Sequence, residues 1–291
     1  MQSGLSEKIR NMRDIEINKE VTSLGVHQLF ENEMDKISKF FTGWDETLIW
    51  SCLQGYMGTA WVDDTVNPKS AQIIIADFCF LAGEANEELI SNNLCERRSD
   101  FIIMVPQNEK WSDLLEQVYK ENATKVTRFA VKKETEVFDK RKLEAIVQKL
   151  SGAYEIRIIN QEIFDMLQDS KWAYDLVSQF KDYEEYQKRG LGVVVLHQGE
   201  PVSGASSYTV YRDGIEIEID TKKEYRRKGL ALVCGAKLIL MCLQRNLYPS
   251  WDAQNKGSLE LAKKLGYHFD KEYTAYEVIG FGKVITDKDI Q

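Results

Sequence analysis

The sequence of 291 residues has few of the side chains that bind metal ions or cross-link a chain. Its three histidines are far apart, no H-E-x-x-H occurs, and its five cysteines form no C-x-x-C motif. An odd number of cysteines, most of them in apolar runs, favours reduced thiols over a disulfide framework. We therefore expect no metal site, and buried thiols in a cytoplasmic protein.

The sequence also lacks a net positive charge and a long apolar run. Lys and Arg number 38 and Asp and Glu number 46, which gives a formal net charge of -8. This balance argues against a broad nucleic-acid surface, so any bound anion should be small and local. The longest apolar stretch, around residues 230–243, is interrupted by Lys237 and is too short to span a bilayer. The first twenty residues are polar, unlike a secretory signal, and we expect no membrane partner.

The order of predicted elements indicates a mixed α/β protein with two domains. We expect residues 1–135 to form an N-terminal α/β domain, with the charged stretch 132–142 as the linker. In it, "LIWSCLQGYMGTAWV" and "AQIIIADFCFLAG" each resemble one strand. Residues 136–291 predict two helices, three meandering strands, then helix, strand, helix and strand. This pattern favours a mostly antiparallel sheet that ends in a βαβαβ unit.

The stretch "GIEIEID" alternates with the period of a strand. Ile215, Ile217 and Ile219 should lie on one face, and Glu216, Glu218 and Asp220 on the other. Taken alone, such a strand has a solvated acidic face. The segment that follows makes a functional face the better interpretation.

That segment, "RRKGLALVCG", places Gly229 where a loop enters a long apolar helix. The first N–H groups of a helix lack partners and carry partial positive charge, so they can bind an anion. Arg226, Arg227 and Lys228 add full charges, and a glycine lets the backbone approach a ligand. The phosphate-loop pattern G-x-x-x-x-G-K-[ST] and the dinucleotide pattern G-x-G-x-x-G are both absent here.

The run from Arg226 to Ala231 resembles the R/Q-x-x-G-x-G/A motif of the GCN5-related N-acetyltransferases (GNAT). Downstream, "WDAQNKGSLELAKKLGY" is similar to the family segment N-x-x-S/A-x-x-L-Y-x-K-x-G-F. The resemblance covers roughly residues 150–291. The residues of these motifs look like those of a bacterial subgroup that includes antibiotic-resistance acetyltransferases. The matching positions of the second motif are Asn255, Ser258, Leu261, Lys264, Leu265, Gly266 and Tyr267.

The resemblance implies acetyl-coenzyme A (acetyl-CoA) as the cofactor. In this family the fourth strand of the sheet splays from the fifth, and the opening receives the pantetheine arm. Thr221 N–H would polarise the thioester carbonyl and stabilise the oxyanion, and the loop would bind the pyrophosphate. The resemblance places cofactor contacts at Ile219, Asp220, Thr221, Arg226, Arg227, Lys228, Gly229, Leu230, Ala231, Asn255 and Ser258.

Transfer to an amine requires a base, and either Glu216 or Glu218 could be that residue. A bulge in the strand would change which of them faces the site. The tyrosine that often serves as the acid in this family is replaced by Ala262. Tyr273 or Tyr276 could point inward, but packing is the more frequent role, so the acid is unassigned.

The first hypothesis is an acetyl-CoA-dependent N-acetyltransferase that acts on a primary amine of a small, cationic acceptor. The alternatives are a non-catalytic acyl-CoA-binding module and a tandem-GNAT aminoacyl transferase. The N-terminal half has "FLAGEANEELI" where the basic motif would stand, so we interpret it as a degenerate GNAT-like copy. A homodimer is left open.

Overall fold

A computed structural model describes residues 25–92 and 100–281 of the chain. These residues form two compact units. The first unit contains residues 25–44, 58–92, 100–126 and 274–281, and the second contains residues 45–57 and 127–273. A single boundary at residue 135 does not describe these units. Residues 45–57 and 127–135 precede that boundary but belong to the second unit, and residues 274–281 follow it but belong to the first unit. The division into domains 1–135 and 136–291 stays a prediction.

The described residues contain thirteen β-strands. They are β1 (His27–Leu29), β2 (Thr59–Val62), β3 (Ser70–Ile75), β4 (Phe78–Gly83), β5 (Ile102–Pro106), β6 (Ala123–Val131), β7 (Glu155–Ile158), β8 (Gly192–His197), β9 (Glu200–Tyr211), β10 (Gly214–Thr221), β11 (Tyr248–Ser250), β12 (Asp252–Ala253) and β13 (Phe269–Val278).

Helices alternate with these strands, which gives the predicted mixed α/β class. The α-helices are α1 (Asp35–Ser38), α2 (Thr47–Leu53), α3 (Glu87–Ile90), α4 (Glu109–Tyr119), α5 (Lys140–Gln148), α6 (Gln161–Gln168), α7 (Tyr183–Arg189), α8 (Leu230–Gln244) and α9 (Lys256–Leu265). Short 3-10 turns lie at Glu31–Glu33, Lys39–Phe41, Lys120–Asn122, Tyr174–Leu176 and Lys223–Tyr225.

In the first unit the strands follow the order β1-β2-β3-β4-β5-β13. Neighbours are antiparallel except for β4 and β5, which are parallel. "AQIIIADFCFLAG" is therefore a hairpin and not one strand, because Ala76 adopts a left-handed φ of 51° and reverses the chain. Trp111 and Leu115 of α4 are buried in the core of this unit.

In the second unit a five-stranded sheet has the order β11-β10-β9-β8-β7. Strands β7 to β10 form an antiparallel meander. Helix α8 connects β10 to β11, and these two strands pair in parallel. Tight turns at residues 198–199 and 212–213 connect β8 to β9 and β9 to β10. Helix α8 is buried along most of its length, and residues such as Cys234 and Leu238 fill the core.

One predicted strand in the second unit is wrong. The first half of "LIWSCLQGYMGTAWV" forms the helix α2, and only Thr59–Val62 forms a strand. The side chain of Glu46 caps the helix by accepting from Leu48 N–H at 3.4 Å. Thr47 to Ile49, Ser51 and Cys52 are all buried. Burial of most of the helix weakens the helical period of the apolar pattern, so the run resembled a strand.

The described cysteines are buried, as expected. They are Cys52, Cys79, Cys234 and Cys242, and Cys52, Cys234 and Cys242 are free thiols. Burial raises the pKa of the Cys52, Cys234 and Cys242 thiols to about 12. Such thiols stay protonated and inert at neutral pH. Cys95 lies outside the described residues.

No helix within residues 25–92 and 100–281 combines the length and the apolar composition that crossing a membrane would require.

Candidate active site

Strand β10 keeps the predicted alternation along its length. The register against β9 shifts by one residue between Glu216 and Ile217, and the extra residue, Tyr208, is on β9. The bulge therefore leaves Glu216, Glu218 and Asp220 on one face of β10. Glu216 is only 3% exposed, so a solvated acidic face is the wrong interpretation at this residue. Glu218 and Asp220 are half-buried.

Strands β10 and β11 separate directly after Glu216. The parallel pairing joins Gly214–Glu216 to Tyr248–Ser250 and goes no further. The chain after Ser250 turns to β12, which pairs with β6 instead, so the predicted strand "YPSWDAQ" is two strands with different partners. The edge of β10 from residue 217 to residue 221 is thus left open on the side of β11, which gives the splayed geometry that the resemblance implied.

The acidic group at this separation includes residues that sequence reasoning missed. Thr47 Oγ1 donates to Glu216 Oε2 at 2.5 Å, and Glu46 beside it is 7% exposed. Glu46 caps α2, and an acidic residue before an apolar run is a known helix-start signal. That signal could have located the helix. It could not have indicated that the helix packs on β9 and β10.

Burial dominates the electrostatics of the two glutamates. It raises the pKa of Glu46 to about 8, with further upward contributions from Glu216 and Asp252. Burial also raises the pKa of Glu216, while Lys133 and the hydrogen bond from Thr47 oppose the change. Both carboxyls consequently hold their protons to a higher pH than an exposed glutamate does.

Asp252 is held in a separate, complete network. Arg128 Nε donates to Asp252 Oδ1 at 2.7 Å, and Tyr273 O–H donates to Asp252 Oδ2 at 2.8 Å. The hydroxyl of Tyr276 is also engaged, since it donates to Glu116 Oε1 at 2.5 Å. Neither candidate for the general acid has a free hydroxyl, and Ala262 is fully buried. The acid therefore stays unassigned.

The basic loop has the geometry of an open anion site. Gly229 precedes α8 with φ 80° and ψ 2°, and no side chain caps the helix. A Cβ built on Gly229 would meet no atom within 4 Å, so the space over the helix N-terminus is open. Arg226, Arg227 and Lys228 are all exposed around it. Uncapped N–H groups, open space and three cations together fit a pyrophosphate.

Thr221 N–H, the predicted partner of the thioester carbonyl, already has an acceptor in this structure. It donates to Asp220 Oδ1 at 2.6 Å. Arg226 Nε donates to the Thr221 carbonyl at 3.0 Å and lies 3.7 Å from the Asp220 carboxylate. A contact between Thr221 N–H and a ligand would require the Asp220 side chain to turn away.

Asn255 and Ser258 hold the start of α9. Asn255 is the N-cap residue, and its Oδ1 accepts from Ser258 N–H at 3.0 Å. Ser258 Oγ accepts from Trp251 Nε1 at 3.1 Å, which ties the helix to the chain after β11. Both polar side chains are used within the fold, which favours a structural role over a cofactor contact.

Comparison with known proteins agrees with this geometry. A family model described as GNAT acetyltransferase matches residues 38–276. The chain belongs to the family of GNAT acetyltransferases. It is therefore an acetyltransferase, in a family that transfers acyl groups from acyl-CoA and generally uses acetyl-CoA.

Individual relatives extend the comparison over most of the chain. An uncharacterized N-acetyltransferase, YdfB of Bacillus subtilis, is 26% identical over 240 residues, which are 79% of this chain and 89% of that protein. A GCN5-related N-acetyltransferase-like protein of Streptococcus suis is 46% identical, with a TM-score of 0.80 over 85% of this chain and 98% of that one. A tandem GNAT protein from the clavulanic acid pathway is 8% identical over 89% of this chain and 99% of that one, and its TM-score of 0.51 indicates the fold alone.

Proposed function

We propose that this acetyltransferase moves the acetyl group of acetyl-CoA to a primary amine of a small, cationic acceptor. The observation that carries the proposal is the buried Glu216 at the point where β10 leaves β11. A carboxylate there can attract an ammonium group and accept its proton, directly or through water. The amine then attacks the thioester carbonyl directly, the C–S bond breaks, and CoA leaves as a thiolate. This thiolate is a fair leaving group because a thiol has a pKa of about 8.5, and it takes its proton from solvent.

The residues that would hold the cofactor form a continuous path. The loop from Arg226 to Ala231 binds the pyrophosphate with backbone N–H groups and positive charge. The open edge of β10 at residues 217–221 pairs with amides of the pantetheine arm, as a strand edge pairs with an added strand. Acetyl-CoA, when bound, supplies an activated acetyl thioester.

Distances along β10 decide which residues can act together. A strand rises about 3.3 Å per residue, so Thr221 is about 16 Å from Glu216 and Ile219 is about 10 Å from it. A glutamate side chain and a bound amine can bridge the shorter distance only. We therefore assign the base to Glu216 and the orientation of the acetyl carbonyl to the backbone near Ile219. Glu218, two residues further along β10, is the alternative base.

The test is thiol release from acetyl-CoA in the presence of a panel of small amines. The wild-type protein should release CoA with at least one primary amine. Removal of a general base lowers rates by about 10²–10⁴-fold, so Glu216→Gln should reduce kcat by that amount at saturating amine. Glu218→Gln is the matched control and should retain most of kcat. Full turnover in both variants would remove the assignment of a base on β10.

The same assay separates the other hypotheses. Stabilisation by CoA without thiol release in any amine would indicate a non-catalytic acyl-CoA-binding module. Activity that requires aminoacyl-tRNA would indicate an aminoacyl transferase, which the net charge of -8 disfavours. A cytoplasmic location and a homodimer stay predictions.

A further inference from the structure

Three buried oxygens lie in one row across three strands. Thr209 of β9 and Ser250 of β11 are each directly opposite Glu216 of β10. Residues in such register face the same side of a sheet, with Cβ atoms about 5 Å apart. In the part of the chain that the structure describes, Thr209 Oγ1, Glu216 Oε1 and Ser250 Oγ are buried and make no hydrogen bond of ordinary geometry. The Ser250 hydroxyl nevertheless lies beside the Glu216 carboxyl, since a side-chain interaction with Ser250 lowers the pKa of Glu216.

Buried polar atoms without partners destabilise a folded protein, and native proteins hold few of them. Here three occur side by side, at the point where β10 and β11 separate. Glu216 Oε2, the other carboxylate oxygen, is satisfied by Thr47. The row therefore indicates a ligand that brings hydrogen-bond donors to Oε1 and the two hydroxyls.

The chemistry of the row selects the class of donor. A carboxylate can only accept, and each hydroxyl can accept, so the three oxygens match the three N–H groups of a primary ammonium ion. Charge points the same way, because Asp252 is paired with Arg128, whereas Glu46 and Glu216 form no ion pair among the described residues and the charge of Lys133 lowers the pKa of each. Within residues 25–92 and 100–281, no group of three or more His, Cys, Asp and Glu side chains is arranged to hold a metal ion.

We propose that Thr209, Glu216 and Ser250 form the subsite for the ammonium group of the acceptor, and that the two hydroxyls select primary amines. Secondary and tertiary amines offer fewer N–H groups and add carbon atoms where the hydroxyls lie. This inference rests on the proposed function, since it places the acceptor at the same base. It adds two specificity residues, on β9 and β11, that no family motif in the sequence marks.

The test measures binding without turnover. Thermal unfolding of the full chain is followed with propylammonium chloride, and with N,N-dimethylpropylammonium chloride at equal ionic strength. At about 0.1 M, a ligand that binds only the native state should raise Tm measurably. The primary ion should raise Tm of the wild type and the tertiary ion should not.

Two variants remove the hydroxyls with little change in shape, Thr209→Val and Ser250→Ala. Each should weaken propylammonium binding by about 10- to 100-fold, the usual effect of losing a hydrogen bond to a charged group. Thr209→Val should not lower Tm without amine, because the Thr209 hydroxyl has no partner to lose. Ser206→Ala is the matched control, since Ser206 is a buried β9 hydroxyl that is bonded to Tyr186 O–H at 2.8 Å. It should lower Tm and keep the response to propylammonium.

Failure of this inference differs from failure of the proposed function. Two results would overturn the proposal: propylammonium does not raise the Tm of the wild type, or it raises the Tm of both variants as much as that of the wild type while both variants are less stable without it. Either result would mean that water, and not an ammonium group, occupies the row of Thr209, Glu216 and Ser250. With an accepted amine, both variants should raise the KM for amine and leave the KM for acetyl-CoA unchanged. Ammonium binding that depends on the hydroxyls, without any thiol release, would retain the subsite and reject the transfer reaction.

Discussion

At the scale of single residues, the site depends on a contact that local sequence cannot reveal. Thr47 and Glu216 are 169 positions apart, and their hydrogen bond brings α2 onto the acidic face of β10. The alternation in "GIEIEID" predicted which face of β10 Glu216 occupies, and the register of β10 against β9 agrees with that prediction. Whether that face is exposed to solvent or buried depends on what packs against it. That packing determines the pKa of Glu216 and therefore its suitability as a general base.

The buried acid Glu46 should make stability depend on pH. Burial raises its folded pKa to about 8 from an ordinary value of 4.5, so the folded state holds a proton that the unfolded chain releases. Stability is therefore full below about pH 4.5 and falls as pH rises towards 8. The slope for one such group approaches about 1.4 kcal/mol per pH unit.

Glu46→Gln should abolish most of this loss. We expect urea unfolding to show that the variant gains stability over the wild type steadily from pH 5 to pH 8, by several kcal/mol at most. Glu216, Asp252 and Lys133 surround the same carboxyl and share in its titration, which spreads the change over the interval. Glu260→Gln, at a fully exposed carboxyl, is the control. Parallel pH profiles for wild type and Glu46→Gln would show that Glu46 is ionised in the folded protein.

At the scale of elements, sequence rules worked where one element carries its own signal. Strand β10 follows from a period of two, and the start of α8 follows from a glycine before an apolar run. The same rules failed where most of an element is buried. The apolar run at residues 48–53 is a helix, and the split of "YPSWDAQ" into β11 and β12 depends on which strand each half meets. Those partners are fixed by tertiary structure, which no local pattern contains.

The loop before α8 gives a prediction about cofactor binding. Gly229→Val adds a branched side chain over the open helix N-terminus and should raise the Kd for CoA by at least about tenfold, since 1.4 kcal/mol of lost contacts is a factor of ten. The left-handed φ of 80° adds backbone strain of about 1–2 kcal/mol for a side chain with a Cβ. Titration calorimetry with CoA measures the effect on binding.

Strain must be separated from loss of contacts. Gly280 has φ 84° and equally open surroundings, so Gly280→Val introduces a comparable strain away from the loop. Both variants should lower Tm by similar amounts, and only Gly229→Val should weaken CoA binding. An unchanged Kd in Gly229→Val would reject the loop as the pyrophosphate site.

At the scale of the whole molecule, positive charge is not spread evenly but is concentrated locally. The net charge is -8, yet a basic loop lies at the N-terminus of α8, where a polyanionic cofactor would bind. Salt bridges elsewhere, such as Lys188–Glu184 and Lys263–Glu260, join exposed side chains and contribute little to stability. A local cation group therefore needs no basic surface around it.

The compact units make a prediction about where the chain can be cut. Residues 45–57 belong to the second unit, although they precede the predicted boundary by some 80 positions. Helix α2 packs on β9 and β10, Ser51 Oγ donates to the Val210 carbonyl at 2.6 Å, and Leu48 and Ile49 are fully buried. Two such side chains contribute about 3–6 kcal/mol, against a typical total of about 5–15 kcal/mol for a domain.

A fragment of residues 136–291 should therefore fail to fold as the full chain does. It lacks α2, and it lacks the β6 residues Phe129 and Ala130 that pair with β12. We expect a broad, weakly cooperative urea transition by circular dichroism and loss of the near-ultraviolet signal, because the acidic face of β10 loses its cover and Glu216 loses Thr47. The full chain measured in parallel is the reference. A cooperative transition at the same urea midpoint would instead establish 136–291 as an independent domain and place the boundary where the sequence predicted it.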